Sequence, residues 1–108
     1  MKIYLISSEI NNDILYKIGI TKRDVSKRLR ELKTGNAATL SVVNVFESKW
    51  AFKIETNLHT SYQTKNVRGE WFRLNEDEVK NFTSRCQQIH DNFEVLSKHN
   101  TWFIDKNY

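Results

Sequence analysis

The chain has no proline and a single cysteine among its 108 residues, and no repeat, linker or low-complexity tract interrupts it. Cys86 stands alone, which excludes an internal disulfide and a cysteine-based zinc cluster. A reducing setting follows, the cytoplasm of a bacterium or phage-infected cell, or the nucleus in a eukaryote. No run approaches the ~20 apolar residues that a membrane span requires, so we expect no membrane association. The first residues predict a strand rather than a secretory leader.

The length fits one domain, residues 1–108, with a modest core. Positive charge is concentrated in its middle part. Residues 17–73 hold twelve Lys/Arg and five Asp/Glu, whereas residues 74–108 hold four and six. Clustered Lys and Arg gain affinity for a polyanion by releasing its condensed counterions. Nucleic acid is therefore the first-choice partner, and a merely solvated basic surface is the alternative.

The first half of the chain predicts a hairpin, a helix and a third strand. Apolar runs at 3–6 and 14–20 flank a turn-rich segment, which indicates a β-hairpin with a longer loop. Asp24 is a suitable N-cap for a helix that ends at the Gly-Asn pair 35–36. Residues 40–46 are rich in β-branched side chains and predict a strand.

The second half predicts two helices around a short extended piece at 70–74. Ser48 is a suitable cap for the first of them, and Asn75 with Glu78 forms a capping box for a long helix at about 76–98. The apolar stripe of the shorter helix is Trp50, Ile54, Leu58 and either Ser61 or Tyr62. The seam of the longer helix is Val79, Phe82, Cys86, Ile89, Phe93 and Leu96. The seam predicts packing on its own domain, with a homodimer through residues 79–96 as the alternative.

The resulting order is β-β-α-β-α-(β)-α, an α+β fold with a small antiparallel sheet of three or four strands flanked by helices. Strand alternation decides which side chains meet. If Tyr4 pairs near Lys17 or Ile18, one face of the hairpin is apolar and the other presents Tyr4, Lys17 and Gly19. A glycine at that place lets another backbone or a phosphate come close.

Two helical positions have side chains suited to phosphate chemistry. Arg28 lies at the edge of an apolar stripe, where its guanidinium can bind a phosphate or form a salt bridge with Glu31 or Asp24. Glu55 and His59 are four residues apart and therefore neighbours on one helix flank. A carboxylate there can hold a hard divalent cation, and the imidazole can relay a proton. A simple hydrogen-bonded pair is the alternative.

Together these residues resemble one branch of the GIY-YIG endonuclease superfamily, which contains phage open-reading-frame proteins and the fungal meiotically up-regulated gene family. The matching segments are Ile3-Tyr4-Leu5, Tyr16-Lys17-Ile18-Gly19, Arg28-Leu29, Glu55 with Leu58-His59, and Gly69-Glu70-Trp71-Phe72. The resemblance covers roughly residues 2–74. It implies metal-assisted hydrolysis of a phosphodiester.

The resemblance also implies a role for each matched residue. Tyr4 takes the place of the tyrosine that activates or orients the attacking water. Arg28 matches the arginine that steadies charge on the scissile phosphate. Glu55 matches the ligand of one Mg²⁺ or Mn²⁺ ion, and His59 matches a proton relay. Glu70 is expected to hold Arg28, His59 or a metal-bound water, while the two aromatic residues after it are expected to be structural.

The second motif departs from the family pattern. Lys17 stands where the family has its tyrosine, and Tyr16 is displaced by one residue. Either residue can take the second-motif role. A free phenol has a pKa of about 10, so a tyrosine base needs a nearby cation, which Lys17 could supply. The first motif also lacks its glycine, because Lys2 precedes Ile3.

The predicted function is that of a metal-dependent DNA endonuclease or nickase. The residues expected to bind backbone phosphates are Lys22, Arg23, Lys27, Arg30, Lys33, Lys65 and Arg68. Such contacts give affinity without sequence specificity, so target choice must come from DNA structure, a protein partner or dimerisation. The alternatives are an RNA substrate, an inactive nucleic-acid-binding module, and a small phage-type protein-interaction factor.

Overall fold

A computed structural model describes residues 1–33 and 38–99 of the chain. Five strands form one sheet: β1 (Lys2–Ile10), β2 (Asp13–Thr21), β3 (Thr39–Glu47), β4 (Asn66–Arg68) and β5 (Trp71–Phe72). The helices are α1 (Val25–Lys33), α2 (Ala51–Ser61), α3 (Glu76–Lys80) and α4 (Phe82–His99), with one 3₁₀ turn at Gln63–Lys65.

The sheet is antiparallel throughout, with the strand order β3-β1-β2-β5-β4. The predicted α+β class is therefore confirmed. The sheet exceeds the predicted three or four strands because β4 adds an edge of only three residues. A strand that short has too few residues to show an alternating pattern in the sequence.

The β1–β2 hairpin closes more tightly than predicted. Its loop is only Asn11-Asn12, both with positive φ (52° and 68°), where a longer loop was expected. Asparagine tolerates the left-handed conformation that a two-residue hairpin turn needs. The tight turn pairs Tyr4 with Gly19, so the predicted pairing with Lys17 or Ile18 is wrong. Tyr4 and Lys17 nevertheless share one face of the sheet, because the observed partner Gly19 lies two residues from Lys17.

The two faces of the sheet carry separate clusters of buried residues. The larger cluster joins Ile3, Leu5 and Ile18 to the apolar sides of α2 and α4. The smaller cluster joins Tyr4 and Ile6 to α1. The predicted apolar stripes of α1 and α2 are confirmed by this packing. Cys86 belongs to the larger cluster, and burial raises the pKa of its thiol to about 12, so it stays protonated at neutral pH.

The predicted N-caps of the first two helices can be compared with the structure. The carboxylate of Asp24 accepts a hydrogen bond from the backbone N–H of Ser26, which confirms the cap of α1. Ser48 does not cap α2, since the helix begins at Ala51 and its N-cap is Trp50. The Ser48 hydroxyl instead accepts from the N–H of Trp50 within the preceding turn. The predicted stop at 35–36 lies outside the described residues.

The predicted long helix is divided at Asn81 into α3 and α4. Its capping box at Asn75 and Glu78 is confirmed. The seam packs on its own domain as far as Phe93, but Leu96 is 45% exposed, so its predicted burial is wrong. At about 1.5 Å per residue, α4 is about 27 Å long and α2 only about 16 Å, so the last turns of α4 extend past their packing partner. Among the described helices, none is long and apolar enough to cross a bilayer.

Gly19 lies beneath the Tyr4 ring, so the close approach predicted for a backbone or a phosphate is made by an aromatic side chain. A Cβ atom added at Gly19 would lie 2.5 Å from the Tyr4 ring carbon that bears the hydroxyl.

We expect Gly19→Ala to destabilise the protein by about 1–3 kcal/mol, measured by urea denaturation, because overpacking forces a shift of ring or backbone. In a Tyr4→Ala background the same substitution should cost far less. An equal cost in both backgrounds would contradict this packing.

Candidate metal centre

The candidate site lies at the edge of β2, at the point where its pairing with β5 ends. The N–H of Ile18 donates to the carbonyl of Glu70 over 3.2 Å, and β5 pairs with β2 only at Tyr16 and Lys17. The carbonyl of Ile18 bonds instead to His59 Nε2, at 2.9 Å. A carbonyl oxygen can only accept, so Nε2 must carry the proton. In the neutral ring this leaves Nδ1 with its lone pair.

Three potential metal ligands meet at this edge. Glu55 and His59 are contributed by α2, and Glu70 comes from the turn that joins β4 to β5. The turn needs Gly69, which has a φ of +55°. One ligand atom from each of the three residues lies within 4.8 Å of the others. The predicted i, i+4 pairing of Glu55 and His59 therefore gains a third member from a distant part of the chain.

Glu55 has the most unusual environment of the three ligands. Its Oε2 atom is shielded from solvent and has no hydrogen-bond partner. Burial raises the pKa of Glu55, and repulsion by the Glu70 carboxylate raises it further, while His59 and Lys17 oppose the shift. An unpartnered, buried carboxylate oxygen beside a second carboxylate is a donor arrangement that suits a hard divalent cation.

Lys17 supplies positive charge inside this cluster. Its side chain is 9% exposed, and its ammonium lies 2.5 Å from Glu70 Oε2 and 5.7 Å from the centre of the Trp71 ring. Sequence reasoning expected Glu70 to hold Arg28, His59 or a water, but its partner in the structure is Lys17. Lys17 was considered as a cation for the Tyr4 hydroxyl, and in the structure that hydroxyl accepts a hydrogen bond from a different cationic residue.

Arg28 is the residue that donates a hydrogen bond to Tyr4. Its Nε donates to the Tyr4 hydroxyl at 3.4 Å, and its Nη1 lies 3.1 Å from Glu31. The hydrogen bonds to Tyr4 and then Glu31 raise the pKa of Arg28 above its usual value. The salt bridge with Glu31 expected as one alternative for Arg28 is confirmed, and phosphate binding by its guanidinium stays a prediction. Tyr4 itself is 1% exposed.

Tyr16 is not brought to the site with the other predicted residues. It pairs with Phe72 across β2 and β5 and packs, partly buried, against the larger core cluster. The alternation of β2 places it on the face opposite Lys17. Of the two residues proposed for the second-motif role, the structure puts Lys17 beside the cluster and Tyr16 in the core.

The predicted phosphate-binding residues differ in their contacts. Lys22, Lys27, Lys33 and Arg68 are exposed, as is Arg30. Two residues are held in ion pairs: Arg23 lies 2.6 Å from Glu31, and Lys65 lies 2.5 Å from Glu78. Their contacts with nucleic acid stay a prediction.

Trp71, which sequence reasoning treated as structural, lies next to the candidate site. Phe72 is buried in the core, whereas Trp71 lies partly exposed on the other face of the sheet. Its cross-strand partner is Lys17. The sequence could have indicated that Trp71 is a neighbour of Lys17, if the alternation of side chains along β2 had been continued onto β5.

Comparison with known proteins gives a family for this chain. The T5orf172 domain model matches residues 1–87. The chain belongs to the T5orf172 domain family. The matched span includes the whole cluster and the Tyr4–Arg28 pair, and it ends within α4.

A relative of this T5orf172 domain protein is "Uncharacterized protein 460R" of Invertebrate iridescent virus 6, which is 28% identical over 119 aligned residues. The alignment covers 97% of this chain and 52% of the viral protein. The chain thus spans about half the length of that relative. No solved structure matches the chain significantly.

The Lys17–Glu70 pair gives a direct test of the cluster's electrostatics. Lys17→Met keeps most of the stem and removes the charge, which leaves Glu70 without its ammonium partner and removes one of the groups that oppose the raised pKa of Glu55. We expect the metal-free variant to lose about 1–3 kcal/mol of unfolding free energy, less than a fully buried pair because Glu70 is partly exposed.

The matched control is Lys49→Met. Lys49 also combines an ion pair, 3.1 Å from Glu94, with an aromatic ring, that of Trp50, but its side chain is 51% exposed. This variant should lose less than about 1 kcal/mol in the same urea titration with EDTA. Equal losses in the two variants would show that Lys17 does not balance the carboxylates.

Proposed function

We propose that this chain is a metal-dependent nuclease of the GIY-YIG type that hydrolyses phosphodiester bonds in DNA. The observation that carries the proposal is the Glu55–His59–Glu70 cluster, with an unpartnered oxygen on Glu55 and Lys17 beside it. Membership in the T5orf172 domain family supports a phage-type, nucleic-acid-related module. Hydrolysis itself is the step that this proposal adds.

The donor set fits one Mg²⁺ or Mn²⁺ ion. Glu55 would hold it through its buried oxygen, with Glu70 and His59 lining the remaining shell. Carboxylates with one imidazole suit Mn²⁺, and Mg²⁺ is commonly held by one or two carboxylates while it keeps several waters. A bound ion would supply charge stabilisation to the leaving oxygen of the phosphodiester.

Tyr4 and Arg28 would act on the other side of the scissile phosphate. The Tyr4 hydroxyl is fixed by the Arg28 donor and by the close approach to Gly19, so its oxygen has a defined position for orienting a water. The second arm of Arg28 pairs with Glu31 near the surface. This arm can exchange that exposed pair for a phosphate oxygen, since an exposed salt bridge is worth little.

Lys17 would replace the second-motif tyrosine. Its ammonium neutralises Glu70 in the absence of substrate, over 2.5 Å. With Glu70 engaged in a metal site, the same ammonium would be free to donate to a phosphate oxygen. Charge-assisted hydrogen bonds of this kind stabilise the developing charge of a phosphoryl transition state.

The basic surface would bind the DNA backbone. Lys27, Arg30 and Lys33 lie on exposed positions of α1, the helix that also carries Arg28. Phosphate contacts from this helix would hold the duplex beside the site without reading its sequence. A protein partner or a homodimer through residues 79–96 remains a proposed source of specificity.

An inactive nucleic-acid-binding module is the second candidate. Two observations favour it: Tyr4 is 1% exposed, and the Lys17 ammonium is already bound to Glu70. A base that water cannot reach, beside a cation that is already neutralised, would leave a fold that binds nucleic acid without turnover.

Nicking of supercoiled plasmid separates these candidates. We expect the wild-type protein to produce nicked circles with Mg²⁺ or Mn²⁺ and none with EDTA. Glu55→Ala, Tyr4→Phe and Arg28→Met should each reduce the rate by about 10²–10³, the usual effect of losing one group that stabilises the transition state. Comparing Tyr16→Phe with Lys17→Met tests which residue takes the second-motif role.

The matched controls are Glu76→Ala, an exposed carboxylate on α3, and Tyr62→Phe, a half-buried tyrosine beside the core. Both should nick at the wild-type rate. Salt-sensitive DNA binding without nicking in any metal would favour the inactive module. Nicking that survives Glu55→Ala would reject the proposed metal centre, and the absence of both binding and nicking would reject both candidates.

A further inference from the structure

An open cavity of about 320 Å³ lies on the sheet beside the candidate metal centre. It is lined by Ser8, Ile10, Leu15, Val67, Arg68 and Trp71. Ser8 pairs with Leu15, and both lie on the face that carries Tyr4 and Lys17. Helix α1 packs over Tyr4 and Ile6 at one end of this face, and the cavity occupies the other end.

The lining combines exposed apolar surface with one ring and one cation. Ile10 is 51% exposed and Val67 is 48% exposed, although both are large apolar residues. The indole of Trp71 forms one wall, and Arg68 is its cross-strand partner on β4. A volume of this size is at the lower end of small-molecule sites, roughly 300–1,000 Å³.

Trp71 links the cavity to the candidate metal centre. Trp71 is the cross-strand neighbour of Lys17, whose ammonium lies 5.7 Å from the centre of the indole ring. Trp71 also directly follows Glu70 in the chain. A group seated against the indole would therefore lie beside Lys17, the residue whose ammonium also binds Glu70.

We propose that this cavity receives an unpaired nucleobase of the DNA substrate, which stacks on Trp71 while Arg68 binds a phosphate of the same strand. This inference rests on the proposed function and names its substrate class. Aromatic rings bind bases of any sequence because every base has a flat π-face. A base inside a continuous duplex has both faces covered by its neighbours, so only an unpaired, bulged or flipped base can enter. The preferred substrate would therefore be DNA with a locally unpaired nucleotide.

Binding to two matched DNA probes tests this inference. One probe is a short duplex with a single unpaired adenine, and the other is the same duplex fully paired. EDTA is present to prevent cleavage, and affinity is measured by fluorescence anisotropy. We expect the wild-type protein to bind the bulged probe about tenfold more tightly, because only this probe can form the base–aromatic stack. Trp71→Leu should remove this preference, whereas Trp71→Phe should keep most of it.

The control for an exposed aromatic residue is Phe52→Leu. Phe52 is 65% exposed and lines a different cleft, between α2 and α4, so its loss should leave the preference unchanged. Thermal melting checks that Trp71→Leu is folded, and equal binding to the fully paired probe checks that its phosphate contacts are intact. Equal affinity of the wild-type protein for both probes, or a preference that survives Trp71→Leu, would overturn the proposal.

Failure of this inference can be told apart from failure of the proposed function. Metal-dependent nicking without preference for the bulged probe would reject the base site and leave the nuclease. A preference that depends on Trp71, without nicking, would reject the nuclease and leave the base site on an inactive module. A protein that binds neither probe would reject both.

Discussion

The candidate site depends on the ion pair between Lys17 and Glu70. Two carboxylates and an imidazole meet at one edge of the sheet, and the buried oxygen of Glu55 has no hydrogen-bond partner. Such a cluster is costly to assemble without positive charge, because burial and mutual repulsion disfavour ionised carboxylates. The ammonium of Lys17 offsets that cost in the metal-free protein. The ion pair lies next to the short pairing of β5 with β2, in which Trp71 is the cross-strand partner of Lys17.

Two short turns determine which residues reach this edge. The Asn11-Asn12 turn sets the register of the hairpin, and that register places Gly19 under the ring of Tyr4. The turn at Gly69 then returns the chain so that the carbonyl and the carboxylate of Glu70 both face β2. The site is therefore held by backbone geometry at both ends, while helices supply the remaining side chains. Rigid support of this kind is what a preorganised site requires.

Most of the local structure could be predicted from the sequence, because helical and strand periodicity are properties of neighbouring residues. The pairing of Glu55 with His59 follows from helical spacing alone, and Lys17 was placed on the correct face by alternation. The contact of Lys17 with Glu70 spans 53 residues and has no local signal. The turn conformation of Asn11-Asn12 was also missed, and with it the exact partner of Tyr4. Contacts between distant parts of the chain therefore determine the features that periodicity could not predict.

The central claim is that the cluster holds a divalent cation, and crystals soaked with Mn²⁺ test it most directly. Anomalous diffraction should show one peak bounded by Glu55, His59 and Glu70, with Lys17 turned from the carboxylate towards the open side of the site. The peak should be absent in crystals of Glu55→Gln, which keeps the shape of the side chain and removes its charge. Manganese bound elsewhere with none at the cluster, or an unchanged peak in Glu55→Gln, would contradict the account.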